Sequence, residues 1–247
     1  MKLSLENSYW ETIVGNLLKG SQQLVIVCHG RCCTKEEYFI PALSQAVHAA
    51  WYSCFAFDFS WNGESEGDFV SCTVSKEVQD IRSVVHHFTQ ESYEILSIIW
   101  HSMWGVSSLV YQSKYWTSKT VINIAGLLDQ WPETIELYTP EEVSEMQKTG
   151  FIEKNVFWRV FPISWEYYQD RSSYGNIGNC IKTIFAPVLV VEWSVDEPYN
   201  VEDGEEMMKH LNKPSSYEEI MWADHFFSWK ETEPVSYTHL RAHETEA

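Results

Sequence analysis

Two rhythms of apolar and polar positions run along the chain. Apolar stretches at 24–28, 53–59, 95–99, 120–125 and 188–192 carry few polar interruptions and read as strands buried on both faces, and 217–221 reads as a last strand. Residues 2–6 and 12–17, on either side of Asn7-Ser8-Tyr9-Trp10, read as a short hairpin. Between the strands the period changes to that of a helix. Over 74–88 it sets Val74, Val78, Ile81, Val84, Val85 and Phe88 on one face. A further helix is predicted over 38–50, with Thr34 and Glu37 spaced as a capping box, and another over 201–211. Strands alternating with helices predict an α/β protein with a mostly parallel, doubly wound sheet. From Leu127 to about Cys180 the rhythm breaks into polar and aromatic pieces without a clear strand, so this stretch is predicted to be a small inserted lid. The expected organisation is one domain over 1–234 with the lid at about 127–180.

Composition narrows the partners. The 247 residues suffice for one large α/β domain with a full core, and no apolar run reaches the eighteen or more residues that a membrane span requires. The first residues lack the apolar core of a signal peptide, which predicts a cytoplasmic location. A formal charge of -18 argues against nucleic acid and anionic membranes as partners, because phosphate binding needs clustered Lys and Arg. Of the six cysteines, Cys32 and Cys33 are adjacent and the others scattered, which suits reduced thiols better than a disulfide framework. Cys28, His29, Cys32 and Cys33 lack the spaced ligand pairs of a tetrahedral metal site, so neither a metal nor a cofactor is expected.

The candidate chemistry lies at 95–111. An apolar strand gives way within a few residues to a helix-compatible run from Met103 towards Tyr111, and Ser102 stands at the bend, the layout of a nucleophile elbow. Acyl transfer to a hydroxyl needs a base for its proton, a carboxylate to orient that base, and donors for the oxyanion. The chain supplies Asp196 after the strand at 188–192 and His225 after the last strand, in the order Ser, Asp, His. Ser102 would attack, His225 would serve as base and then acid, and Asp196 would hold the imidazole tautomer. Glu197, the next residue on the same loop, is the first rival to Asp196, and Asp224 the second. The backbone N–H groups of Met103 and Arg31 are the expected oxyanion donors. Taken singly, Ser102 reads as a helix cap and His225 as a surface histidine; their order at strand ends favours the triad.

The runs Cys28-His29-Gly30, Lys35-Glu36-Glu37-Tyr38-Phe39-Ile40-Pro41-Ala42-Leu43, Phe57-Asp58-Phe59-Ser60, Asn62-Gly63-Glu64-Ser65-Glu66-Gly67, Ser194-Val195-Asp196-Glu197 and Ala223-Asp224-His225 resemble α/β-hydrolases of the small cinnamoyl or feruloyl esterase-like group. Serine aminopeptidase-like hydrolases are close relatives of that group. Gly150-Phe151-Ile152 and the stretch from Phe161-Pro162-Ile163 to Asp170-Arg171 resemble its lid. The resemblance implies the α/β-hydrolase fold, hydrolysis of a small carboxylic ester and no cofactor. Phe151, Phe157, Phe161, Tyr167 and Tyr168 are then candidates for lining an acyl pocket, with ordinary lid packing as the alternative. A peptidase, thioesterase or acyltransferase would use the same triad, and a non-catalytic scaffold is the alternative if Trp100 and Trp104 are genuine.

Trp10, Trp51, Trp61, Trp100, Trp104, Trp193, Trp222 and Trp229 all fall where such hydrolases usually carry glycine. Composition agrees: glycine is 11 of 247 residues, about 4% against a usual 7% or so, while tryptophan reaches 12. A Cβ in a left-handed turn costs roughly 1–2 kcal/mol and overpacking typically another 1–3, so eight such sites would rival a net stability of about 5–15. A gene whose UGA codons specify glycine, translated with UGA read as tryptophan, would produce this pattern. Residues 235–247 resemble a translated sequencing adapter and lack a helical apolar face, so they are excluded from the fold.

Overall fold

The apolar runs lie side by side in one eight-stranded sheet. A computed structural model of the chain describes residues 1–30, 33–37, 39–102, 105–126, 138–156, 159–175, 177–194, 201–221 and 223. In chain order the sheet comprises β1 (Lys2–Glu6), β2 (Thr12–Leu18), β3 (Gln23–Cys28), β4 (Ser53–Phe57), β5 (Glu94–His101), β6 (Thr120–Ile124), β9 (Val188–Trp193) and β10 (Ser216–Ile220), arranged β1-β2-β4-β3-β5-β6-β9-β10. β1 and β2 form the expected hairpin and β2 runs antiparallel to β4, while the remaining pairings are all parallel. Parallel strands place their C-terminal ends on one edge. Register brings Cys28 beside Trp100, His101 beside Ile124 and Trp193 beside Ile220.

Helices cover both faces. α2 (Val74–Gln90) and α3 (Gly105–Tyr115) pack on one, where Ile81, Val84 and Phe88 are sealed against Leu24, Ile26 and Ile98. Complete burial of each such side chain is worth about 1.5–3 kcal/mol, which makes this stripe the main reason that the 74–90 segment is helical here. α1 (Ile40–Ala49) covers β2, β3 and β4 on the other face, over Val25, Val27, Cys54 and Ala56. α1 departs from expectation at its start. Phe39 is the N-cap, no side chain caps the helix, and Pro41 stands in its first turn. The Thr34 hydroxyl instead accepts the amide of Glu36 in a separate turn, because proline's fixed φ already suits a helix N-terminus two residues farther on.

Between β6 and β9 the described residues form α4 (Pro140–Thr149), a hairpin of β7 (Phe151–Val156) and β8 (Arg159–Ser164), α5 (Trp165–Ser173) and α6 (Ile177–Ile181). The stretch predicted to lack strands therefore contains two. The Asp170 carboxylate ties these elements to the main body by accepting the Ser75 amide at 2.9 Å and the Ser75 hydroxyl at 2.5 Å, at the start of α2. No helix among the described residues is long and apolar enough to cross a membrane.

Chain reversals show where the tryptophans fall. α4 ends on Gly150 (φ 90°), whose amide donates to Met146 O, and the first residue past α3 is Trp116 (φ 47°), whose amide donates to Gln112 O. α5 is followed by Gly175 (φ 57°), donating to Ser172 O, and α1 by Trp51 (φ 70°), donating to His48 O. The same two C-cap geometries are thus filled once by glycine and once by tryptophan. Trp10 (φ 63°) closes the β1–β2 turn, after Asn7 Oδ1 has accepted the Tyr9 amide, at the left-handed place that glycine favours in hairpins.

Candidate active site

Strand β5 runs through Trp100 to His101, and the next residue, Ser102, has φ 66°. A left-handed conformation costs an L-residue about 1–2 kcal/mol, and here it turns the chain within three residues from a buried strand into α3. The bend predicted at Ser102 is therefore present, and the residue is 3% exposed. Gly30, at the end of β3, packs against it: a Cβ on Gly30 would stand 3.0 Å from His101 Nδ1 and 3.1 Å from Ser102 Cβ. That approach is closer than nearly all real Cβ contacts, so glycine at this position lets the two strand ends meet.

His29 is fully buried and holds this corner. Its Nε2 accepts the Phe59 amide at 3.2 Å, which leaves Nδ1 to carry the proton and donate to Gly30 O at 2.8 Å. Burial pulls its pKa below the ordinary imidazole value, in keeping with a neutral ring serving as one donor and one acceptor. Sequence reasoning weighed His29 only as a metal ligand. Burial also pushes the neighbouring Cys28 thiol well above its usual pKa, which disfavours the thiolate that a metal would need.

A buried ion pair fixes the next turn. Asp58 accepts the Lys35 amide and the Lys35 ammonium, both at 2.7 Å, and the Glu64 amide at 2.9 Å, while Lys35 also reaches Glu64 at 2.8 Å. β4 stops at Phe57, two residues before the predicted end, and Asp58, whose amide still donates to Val14 O of β2, turns its carboxylate to these bonds. The Asp58 and Lys35 side chains are 0% and 1% exposed. Burial works to lower the Lys35 pKa, but its bonds to Asp58 and Glu64 outweigh this and raise it. Lys35→Met is expected to cost about 3–5 kcal/mol, because it strands a buried carboxylate, and a urea midpoint unchanged from the parent would contradict the pairing.

The other expected site residues divide into two groups. Asp196, His225, the oxyanion donors Arg31 and Met103, the lid residue Phe157, Trp104 and the tail at 235–247 lie outside the described residues, as do Glu197 and Asp224. The described lid aromatics have the following surroundings. Phe161 on β8 meets Phe69, at 5.0 Å between ring centroids. Tyr168 stacks on Trp165 at 5.2 Å and meets Tyr138 edge-on, Tyr167 is buried, and Phe151 is 40% exposed. Beside Ser102, Trp100 is wholly buried between Cys28 and Asn123 of the neighbouring strands, and its Nε1 has no hydrogen-bond partner among the described residues.

Comparison with solved structures accords with this geometry. Est1E from Butyrivibrio proteoclasticus with bound ferulic acid superposes with a TM-score of 0.80 at 17% identity, covering 99% of this chain and 98% of that one. The α/β hydrolase GrgF from Penicillium sp. sh18 gives 0.79 at 15% identity, over 99% and 96% of the two chains. A monoacylglycerol lipase from Paleococcus ferrophilus gives 0.72 at 17% identity, over 93% and 96%. No family profile and no curated protein matches the sequence. With its mostly parallel sheet and flanking helices, the chain has the α/β-hydrolase fold.

Proposed function

We propose that this α/β-hydrolase-fold chain is a serine hydrolase of small carboxylic esters. The observation that carries the reading is Ser102 itself, held in the left-handed region where a buried strand becomes a helix, with Gly30 packed against its Cβ. Only a strained turn of this kind lifts a serine hydroxyl clear of both elements, and strain of this sort is retained where the surrounding structure over-determines it. A monoacylglycerol lipase and a protein that binds ferulic acid, both among the solved structures of the same fold, support the choice of substrate class.

In this reading the Ser102 hydroxyl adds to the ester carbonyl while His225 takes its proton. Asp196 keeps the imidazole in the tautomer that receives it, and the alcohol leaves with that proton. Water, deprotonated by the same histidine, then releases the acid and restores the serine. Backbone N–H groups of Met103, the residue after Ser102, and of Arg31, the residue after Gly30, would meet the oxyanion. The carboxyl ends of β5, β9 and β10 lie at one end of the sheet, and in sequence Ser102, Asp196 and His225 follow these three strands, which supports the reading.

A fluorophosphonate probe tests the reading on a chain carrying Trp100→Gly and Trp104→Gly. Covalent labelling at Ser102, found by peptide mapping, is the expected result, and an unlabelled protein would favour a non-catalytic scaffold. Hydrolysis of p-nitrophenyl acetate should rise with pH as the histidine base loses its proton, about pH 6.5 for an ordinary imidazole. A rate that stays flat from pH 5 to pH 8 would exclude histidine as the base.

A further inference from the structure

The apolar stripe of α2 contains one charged residue. Glu77 lies one helical turn before Ile81, in line with Val84 and Phe88, and is itself 0% exposed. Removing a carboxylate from water costs several kcal/mol unless it is hydrogen-bonded, so a core position on a packed helix would ordinarily hold leucine or valine. Two donors to the Glu77 carboxylate lie among the described residues. Ser107, fully buried in the first turn of α3, donates its hydroxyl to Oε2, and the Cys72 thiol donates to Oε1 at 3.7 Å. A negative group beside the N-terminal turn of α3 is also favoured by that helix's dipole.

The position of this contact matters for the elbow. Ser102 stands only three residues before α3, in a conformation that the chain does not adopt without constraint. Gly30 limits its movement from the side of β3. On the far side, Glu77 joins the first turn of α3 to α2, and through Cys72 to the 3-10 turn Phe69–Ser71 against which Phe161 of β8 packs.

We infer that Glu77 is a positioning residue for the nucleophile: its bond to Ser107 fixes the first turn of α3, and with it the direction of the Ser102 hydroxyl. The inference rests on Ser102 being the nucleophile and adds a residue that touches neither substrate nor reacting atoms. Displacement of a catalytic group by about 1 Å costs up to about a hundredfold, so loss of this tether should act on kcat.

The test compares Glu77→Met, Glu77→Gln and Ser107→Ala in the chain with glycine at positions 100 and 104. Glu77→Met removes the charge along with the acceptor and leaves no orphaned carboxylate, so it is expected to fold. Its kcat and its rate of fluorophosphonate labelling should fall about 10- to 100-fold, with KM within about twofold. Glu77→Gln keeps an acceptor for Ser107 and should stay within about threefold of the parent. Ser107→Ala should reproduce the kcat loss, and the double variant Glu77→Met/Ser107→Ala should be no worse than either single one, as expected of two ends of one bond. The pH profile should keep its midpoint, since the base is untouched. Folded Glu77→Met or Ser107→Ala protein labelled at the parental rate would overturn the inference, and so would a Glu77→Gln variant as impaired as Glu77→Met. A parent that is not labelled at all refutes instead the assignment of Ser102.

Discussion

Ser102→Ala, in the chain carrying glycine at positions 100 and 104, is expected to lower kcat for p-nitrophenyl acetate by about 10⁵- to 10⁶-fold, the scale on which serine hydrolases lose activity with their nucleophile. The size follows from the roles at the site. Without the hydroxyl no acyl-enzyme forms, and what survives is whatever the oxyanion donors and substrate binding contribute to direct attack by water, about 10³- to 10⁴-fold over solution. Stability should hardly change. Alanine accepts the left-handed turn about as well as serine, so the unfolding free energy should stay within about 1 kcal/mol of the parent. Ser102→Val makes the contrast, because a β-branched side chain is poorly tolerated at φ 66° and should lose stability together with activity. If Ser102→Ala retained a tenth or more of the parental rate, Ser102 would not be the nucleophile, whatever its backbone conformation.

Much of this was legible in the chain because burial on both faces leaves an unmistakable apolar run. The stretches at 24–28, 95–99, 120–125 and 188–192 all became parallel strands, their ends shifted by no more than two residues. Ser102 was locatable because the period changes on either side of it. The β7–β8 hairpin was not legible, since Phe151–Val156 carries Glu153, Lys154 and Asn155, and Pro162 interrupts the alternation of its partner. The buried charges were hidden for a different reason. Lys35 and Asp58 lie 23 residues apart and meet only once the strand ends converge, while Glu77 sits within a helical pattern whose apolar members already explain the helix. Burial of a charge is decided by its partner, and a single sequence does not show the partner. The structural role of His29 was not legible because its neighbours in sequence are cysteines, whereas its partners in space are two backbone groups.

Trp10→Gly and Trp51→Gly are expected to stabilise the protein, the opposite of what deleting a large side chain ordinarily does. Both residues are over 80% exposed, so little burial is lost. Each has φ above 60°, where a Cβ costs about 1–2 kcal/mol, against a loss of about 0.5–1 kcal/mol from the added freedom of glycine in the unfolded chain. The pair should therefore gain about 1–2 kcal/mol, or roughly 2–8 °C in Tm for a chain of this size. Trp165→Gly is the matched control. Trp165 opens α5 stacked on Tyr168, so its removal should lower Tm. Position 100 separates the two readings of the gene most sharply. A genuine core tryptophan replaced by glycine leaves a cavity costing about 3–5 kcal/mol or more, whereas a natively glycine position loses only a buried indole whose N–H has no partner among the described residues, and there hydrolysis of p-nitrophenyl acetate should rise. Among the described residues, seven other than glycine have positive φ, and four of them are tryptophan: Trp10, Trp51, Trp61 and Trp116. Trp116 had no assignment from sequence, and its place past α3, matching that of Gly150 past α4, adds it to the set. UGA codons at these four positions and at position 100 are the expected finding in the gene. UGG codons there, or a Tm that falls in Trp10→Gly and Trp51→Gly, would establish the tryptophans as native and the residues around Ser102 as the obstructed elbow of a protein that only binds.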